Sequence, residues 1–113
     1  MAKNDWQIND QIEVRQDSAW FCGHFPGDPI LPGIAEIEMV LVLLEKHFGQ
    51  PVRLRRLGRI KFKKIVRPGE TLDIQAGAGN KENVYGFRIV SAGEEVCAGM
   101  ITLAPPATTS EPL

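Results

Sequence analysis

The sequence predicts an α+β domain in which an antiparallel sheet is wrapped around one central helix. Three observations predict it. Only residues 33–48 space their apolar side chains as a helix does, and the flanks of that stripe are filled too, so the helix must be covered on most sides. The segments after it alternate apolar with polar residues or are bounded by turn residues, as strands are. The links between those strands are short, which favours antiparallel neighbours, and one helix with a run of such strands packs in layers.

Along the chain, residues 1–10 are polar apart from a few apolar residues such as Trp6 and form a loose lead-in, and 11–16 alternate as a half-buried strand until Asp17 and Ser18 end it. Trp20 and Phe21 wall the loop that follows. In the helix Ile34, Ile37, Leu41, Leu44 and Phe48 make the stripe, while Val40, Val42 and Leu43 widen it. Gly49 is placed to cap its C-terminus and Pro51 prevents its resumption. Residues 52–66 read as a long charged strand, with Ile60 and Phe62 on one face, Lys61 and Lys63 on the other, and a slip at Lys64-Ile65 that marks a bulge. A Pro-Gly turn at 67–70 leads into strands at 71–78, 84–91 and 95–103. One domain over 1–103 with a disordered tail at 104–113 is expected.

Composition excludes several classes. With 113 residues, 43% hydrophobic and 24% charged, the chain is an ordinary globular domain, and a formal net charge of -1 argues against a general nucleic-acid or membrane binder. The apolar run 39–44 is far too short to span a bilayer, and the first residues lead into no signal-peptide core, so a cytoplasmic protein is expected. Cys22 and Cys97 are too few for a disulfide scaffold and are expected to be reduced and inert. Two histidines, separated by a whole helix, make a metal site improbable.

The chain is organised around residues 22–38, Cys-Gly-His-Phe-Pro-Gly-Asp-Pro-Ile-Leu-Pro-Gly-Ile-Ala-Glu-Ile-Glu, a stiff loop that runs into the apolar helix. His24 opens it and titrates close enough to neutrality to take up and return a proton. Glu38 lies among Ile34, Ile37, Leu41 and Val42, where a carboxyl held in apolar surroundings becomes a proton donor. Gly33 stands at the helix start, where N–H groups have no helical acceptor. A base, an acid and an oxyanion donor together suit proton abstraction next to a carbonyl with loss or addition of a group one carbon further on. Blander readings stand beside these: His24 as a structural hydrogen-bonder, Glu36 as a helix-start acid favoured by the dipole, Asp28 as a turn organiser, and His47 as a partner for the opposite dipole end.

The string Gly-His-Phe-Pro-Gly-Asp-Pro-Ile-Leu-Pro-Gly, with Glu five residues after its last glycine, resembles the β-hydroxyacyl-(acyl carrier protein) dehydratases of dissociated fatty acid synthesis. The resemblance continues through residues 59–70 and 93–99 and covers about 11–103. It implies the hot-dog fold over a single 1–103 domain. It makes His24 the catalytic histidine, Glu38 the catalytic acid, and Gly33 the glycine whose N–H polarises the thioester carbonyl. No metal or redox cofactor is implied, and the acid and histidine come from two subunits of a dimer, sometimes assembled as a trimer of dimers. Glu38, where an isomerising branch carries Asp, points to plain dehydration of a β-hydroxyacyl thioester to the trans-2-enoyl form, in fatty acid or related lipid or polyketide synthesis.

This sequence departs from the family pattern in three ways. The helix runs Glu38-Met-Val-Leu-Val42 where relatives continue Glu-Ala-x-x-Gln, the gating tyrosine before the long strand is missing with Tyr85 the one tyrosine, and the chain is shorter than most relatives. Together they suggest a specialised paralogue. Arg53, Arg55, Arg56, Arg59, Lys61, Lys63, Lys64 and Arg67 form a basic cluster, read as a solvated strand face or, given the resemblance, as a docking surface for an acidic acyl carrier protein. A thioester hydrolase of the same fold and a non-catalytic acyl-binding subunit are the competing functions.

Overall fold

The structure is a computed structural model that describes residues 6–17 and 30–105. His24, Cys22, Trp20, Phe21 and Asp28 therefore lie outside the described residues, as do 1–5 and 106–113. The elements are β1 (Ile8–Glu13), α1 (Gly33–Phe48), β2 (Leu54–Phe62), β3 (Thr71–Ala78), β4 (Val84–Ser91) and β5 (Glu94–Leu103). The strands make one sheet in the order β1-β3-β4-β5-β2, antiparallel throughout. This is the α+β arrangement expected, one helix against one antiparallel sheet.

Alternation sets the inner face of the sheet. Leu72, Ile74 and Ala76 of β3, Phe87 and Ile89 of β4, and Val96, Cys97, Ile101 and Leu103 of β5 are buried against Ala35, Ile37, Val40, Leu43 and Leu44 of α1. Each large side chain fully buried in this way stabilises the fold by about 1.5–3 kcal/mol relative to exposure. The helix ends at Gly49, whose φ of 72° is left-handed and whose N–H donates to the Glu45 carbonyl at 2.8 Å.

Three expectations need correction. The first strand spans 8–13 rather than 11–16: Ile8 and Ile12 stand opposite Ala76 and Leu72, and Asp10, which breaks the apolar alternation in sequence, is tied at 2.8 Å to Lys46 of α1. The second strand spans 54–62 rather than 52–66, and its irregularities fall between Leu54 and Arg56 and between Gly58 and Lys61, not at Lys64-Ile65. Arg59 takes a left-handed φ of 54° there, and the Ile60 side chain fills the place that a Cβ on Gly99 would need. Finally, α1 is not covered on most sides by the described residues of its own chain. Ile34 is 67% exposed and Val42 and Phe48 are exposed too, because the described sheet lies along one side of the helix only.

The turns follow their residues. Gly69 has a φ of 96° in the Pro-Gly turn, where the Arg67 N–H donates to Glu70 Oε2 at 3.0 Å and Ser91 Oγ donates to Glu70 Oε1 at 2.7 Å. Ala92 and Gly93 both have positive φ, which is the two-residue hairpin geometry that matches strand twist. The Ala104 N–H donates to the Arg53 carbonyl at 2.9 Å, so the pairing of β2 with β5 is prolonged by one residue past Leu103.

Candidate active site at the start of the central helix

The chain enters α1 through Leu31, whose N–H donates to the Val66 carbonyl at 2.8 Å, and through Pro32, the residue before the helix, which offers no side-chain cap. Gly33 is the first helical residue, so its N–H has no acceptor within the helix, and the positive dipole end lies beside it. A Cβ on Gly33 would stand 2.8 and 2.9 Å from ring atoms of Phe62. Glycine here lets the Phe62 ring close over the first turn.

Glu38 lies about one and a half turns further on. The spacing 34, 38, 42 makes one row on the helix, and the structure turns that row away from the sheet: Ile34, Glu38 and Val42 are all exposed. The apolar enclosure expected for Glu38 is thus not provided by the described residues, because Ile34 and Val42 are bare as well, while Ile37 and Leu41 turn toward the core. Val42, at the position of the family glutamine, offers the carboxyl no hydrogen bond. The structure brings Gly33 and Glu38 to one end of one helix, and the loop that carries His24 lies outside the described residues.

The buried acid is Glu36, which by sequence reads as a helix-start acid favoured by the dipole. Only 2% of it is exposed. It does lie in the first turn, yet 36, 40, 43 and 44 form the row that faces the sheet. That spacing was the available signal. The carboxyl is in hydrogen-bonding contact with the Cys97 thiol of β5, while its Oε1 has no partner. Burial pushes its pKa up to about 7, and the Cys97 contact pulls it down by less. The thiol is pushed up in turn, by burial first and then by Glu36, so Cys97 is a free, buried and unreactive cysteine as expected.

The basic cluster is a sheet edge. Arg53, Arg55, Arg56, Arg59, Lys61 and Lys63 are exposed, Lys64 is half-buried, and β2 pairs with β5 along one side only in the described sheet. Lys63 and Lys64 are already matched by Glu95 and Glu94 at 2.6 and 2.9 Å. Leu54, Leu57 and Phe62 are exposed along the same strand. At the other end of α1 from Gly33, a cavity of about 440 Å³ is lined by Phe48, Val52, Arg53, Tyr85 and Leu103 among others. It shares no residue with the Gly33–Glu38 region. Tyr85 packs there against Phe48, with ring centroids 5.6 Å apart.

Comparison with known proteins converges on one family. The model of the ApeI-like family, described as ApeI dehydratase, matches residues 1–100. The chain is 33% identical over 101 residues to the 3-hydroxyacyl-[acyl-carrier-protein] dehydratase FabZ of Caldicellulosiruptor saccharolyticus, covering 80% of this chain and 72% of that one. It is 39% identical over 100 residues to the FabZ of Wolbachia pipientis subsp. Culex pipiens, covering 80% and 70%. Among solved structures, the dehydratase heterocomplex ApeI:P from Xenorhabdus doucetiae superposes with a TM-score of 0.78 at 26% identity, over 91% of this chain and 93% of that one. An acyl-ACP thioesterase from Bacteroides thetaiotaomicron shares the fold alone, with a TM-score of 0.65 at 19% identity over 91% of this chain and 39% of that one. The single antiparallel sheet packed on one helix is thus the hot-dog fold, and the chain belongs to the β-hydroxyacyl-(acyl carrier protein) dehydratase family, with the ApeI-like dehydratase model matching most of its length.

Proposed function

We propose that the protein removes water from a β-hydroxyacyl thioester carried on acyl carrier protein and yields the trans-2-enoyl thioester. The observation that carries this reading is that the unpaired N–H of Gly33 and the carboxyl of Glu38 share one end of α1, Glu38 on the side that the described sheet leaves open. In the reaction the Gly33 N–H donates to the thioester carbonyl and makes the neighbouring C–H more acidic. His24 takes that proton, the electron pair of the broken C–H bond becomes the second bond between the α and β carbons, and Glu38 protonates the β-hydroxyl as its C–O bond breaks. Water leaves and no redox change occurs.

A second chain of the same fold completes the site in this reading. It covers the Ile34, Glu38 and Val42 row, encloses the carboxyl in apolar surroundings and brings a histidine loop to it. A second copy is the simplest such partner. The heterocomplex formed by the ApeI:P relative makes an unlike partner the alternative. The exposed arginines of β2 serve the acidic carrier protein as a docking edge. No helix among the described residues is long and apolar enough to cross a membrane, which suits a cytoplasmic enzyme.

A coupled assay decides. Carrier-bound β-hydroxyacyl chains of several lengths are incubated with the protein and enoyl product is followed. Turnover that survives unchanged in both His24→Ala and Glu38→Ala refutes the reading. One observation favours a non-catalytic subunit of a heterocomplex instead: Val42 leaves Glu38 without a polar neighbour in its row. That reading expects carrier binding with no turnover, alone or as a self-assembled dimer.

A further inference from the structure

Glu36 is the one buried carboxyl among the described residues, and no step of the proposed dehydration uses it. Its seat is fixed from two directions. On α1 it faces the sheet, three residues after Gly33, and from β5 the fully buried Cys97 meets it. Cys97 stands opposite Phe62 of β2 in the sheet register. The Phe62 ring in turn closes on Gly33. A circuit of contacts therefore runs from Glu36 to Cys97, across the ladder to Phe62 and back to the helix start.

Inside that circuit Oε1 has no hydrogen-bond partner. A neutral carboxyl tolerates such a place at modest cost, whereas a carboxylate there lacks both water and a counter-charge. The charged groups nearby are engaged with one another. On β5, Glu95 and Glu94 hold Lys63 and Lys64 of the segment after β2. On α1, Glu38 points to the opposite side, and Asp10 of β1 pairs with Lys46 in the last turn. The strands β1 and β3 present Ile8, Leu72, Ile74 and Ala76 to the helix. No cation of the described residues acts on the Glu36 carboxyl, and its raised pKa, about 7, follows from burial.

We propose that Glu36 is a positioning residue for the dehydration site: its uncharged carboxyl, wedged on Cys97, seats the first turn of α1 so that the Gly33 N–H and Glu38 are held in register with the substrate. Loss of the proton unseats that turn. The inference rests on the dehydration reading above, so its test has two arms that fail separately.

The first arm is amide hydrogen exchange at residues 37–40, whose N–H groups donate to the carbonyls of the first turn, wild type against Glu36→Gln, at pH 6 and at pH 8.5, in the assembled protein. At pH 6 the two should exchange alike, and at pH 8.5 the wild type should exchange faster on the order of tenfold, the margin expected when a buried acid is mostly ionised. The second arm is the ratio of dehydration rates at pH 6.5 and pH 8.5. Glu36→Gln should shrink the wild-type ratio by on the order of tenfold. Glu36→Met, unbranched and uncharged, should do the same and serves where the glutamine variant folds poorly. Equal exchange in wild type and variants at both pH values overturns the seat, and coincident rate profiles overturn the positioning role. Absence of enoyl product from the wild type at every pH overturns the dehydration reading and the positioning role with it, while the exchange arm still shows whether the turn is unseated.

Discussion

The Phe62 ring packs over Gly33 where any other residue would carry its Cβ, with the nearest ring atom 2.8 Å from that Cβ position. Phe62 is nonetheless 55% exposed, so it is a lid on the helix start that is covered on one side only. This contact joins the edge strand to the N–H group that the proposed chemistry needs. It also explains why the glycine matters even though its backbone is ordinary helix.

Gly33→Ala is therefore expected to destabilise the fold by about 1–3 kcal/mol through overpacking, read as a lowered urea midpoint, and to reduce enoyl formation. Adding Phe62→Leu removes ring atoms from the clash and should recover part of the lost stability. If the double variant is as unstable as the sum of the single ones, the two residues are not coupled.

Glu38→Gln should lower dehydration by about 10²-fold or more while the melting midpoint shifts little, because Glu38 lies outside its own chain's core and glutamine keeps the size of the side chain. The combination follows from the exposure of Glu38 on its own chain. A variant that loses activity only in proportion to its loss of folded protein would count against a catalytic role.

Reversal of the edge charge, as Arg55→Glu with Arg56→Glu, should raise KM for carrier-bound substrate several-fold and flatten its dependence on salt. Turnover of a short thioester without a carrier protein should change little. Exposed charges steer a partner mainly through the rate of encounter, which salt screens. Equal effects on both substrates would assign these arginines to the fold or to the subunit interface.

Stability should depend on pH through Glu36. Its folded pKa, about 7, lies above the ordinary 4.5, so the folded chain holds the proton more tightly than the unfolded one. The contribution is fully present below about pH 4.5 and is lost as pH rises through about 7, a loss on the order of 2 to 3 kcal/mol. Denaturant titrations from pH 4.5 to 8 should show this fall in the wild type. Glu36→Gln should be flatter across the same window, and an equal slope in both would place the titration elsewhere.

Much of this architecture is legible in the sequence. Helix α1 has the bounds its periodicity predicts, Gly49 caps it, and the Pro-Gly turn stands where the two residues put it. What resisted were features fixed by a neighbour. Asp10 hides the start of β1 because its polar side chain is paid for by Lys46 from another element. The bulge at Arg59 exists because Ile60 has to fill the space over Gly99, which is a contact 39 positions away in the chain. The burial of Glu36 and the exposure of Glu38 on the described chain escaped the sequence for a similar reason. Both sit among apolar residues, and only the side on which the sheet lies distinguishes the buried acid from the exposed one.

The free side of β2 has a consequence for the chain before it finds a partner. An unpaired edge with exposed Leu54, Leu57 and Phe62 invites haphazard stacking of newly made chains. Arg55, Arg56, Arg59 and Lys61 are interspersed among those side chains and repel their counterparts on an identical strand. The same cations thus act as gatekeepers against aggregation, so removing them wholesale to probe carrier docking would also cost yield of soluble protein.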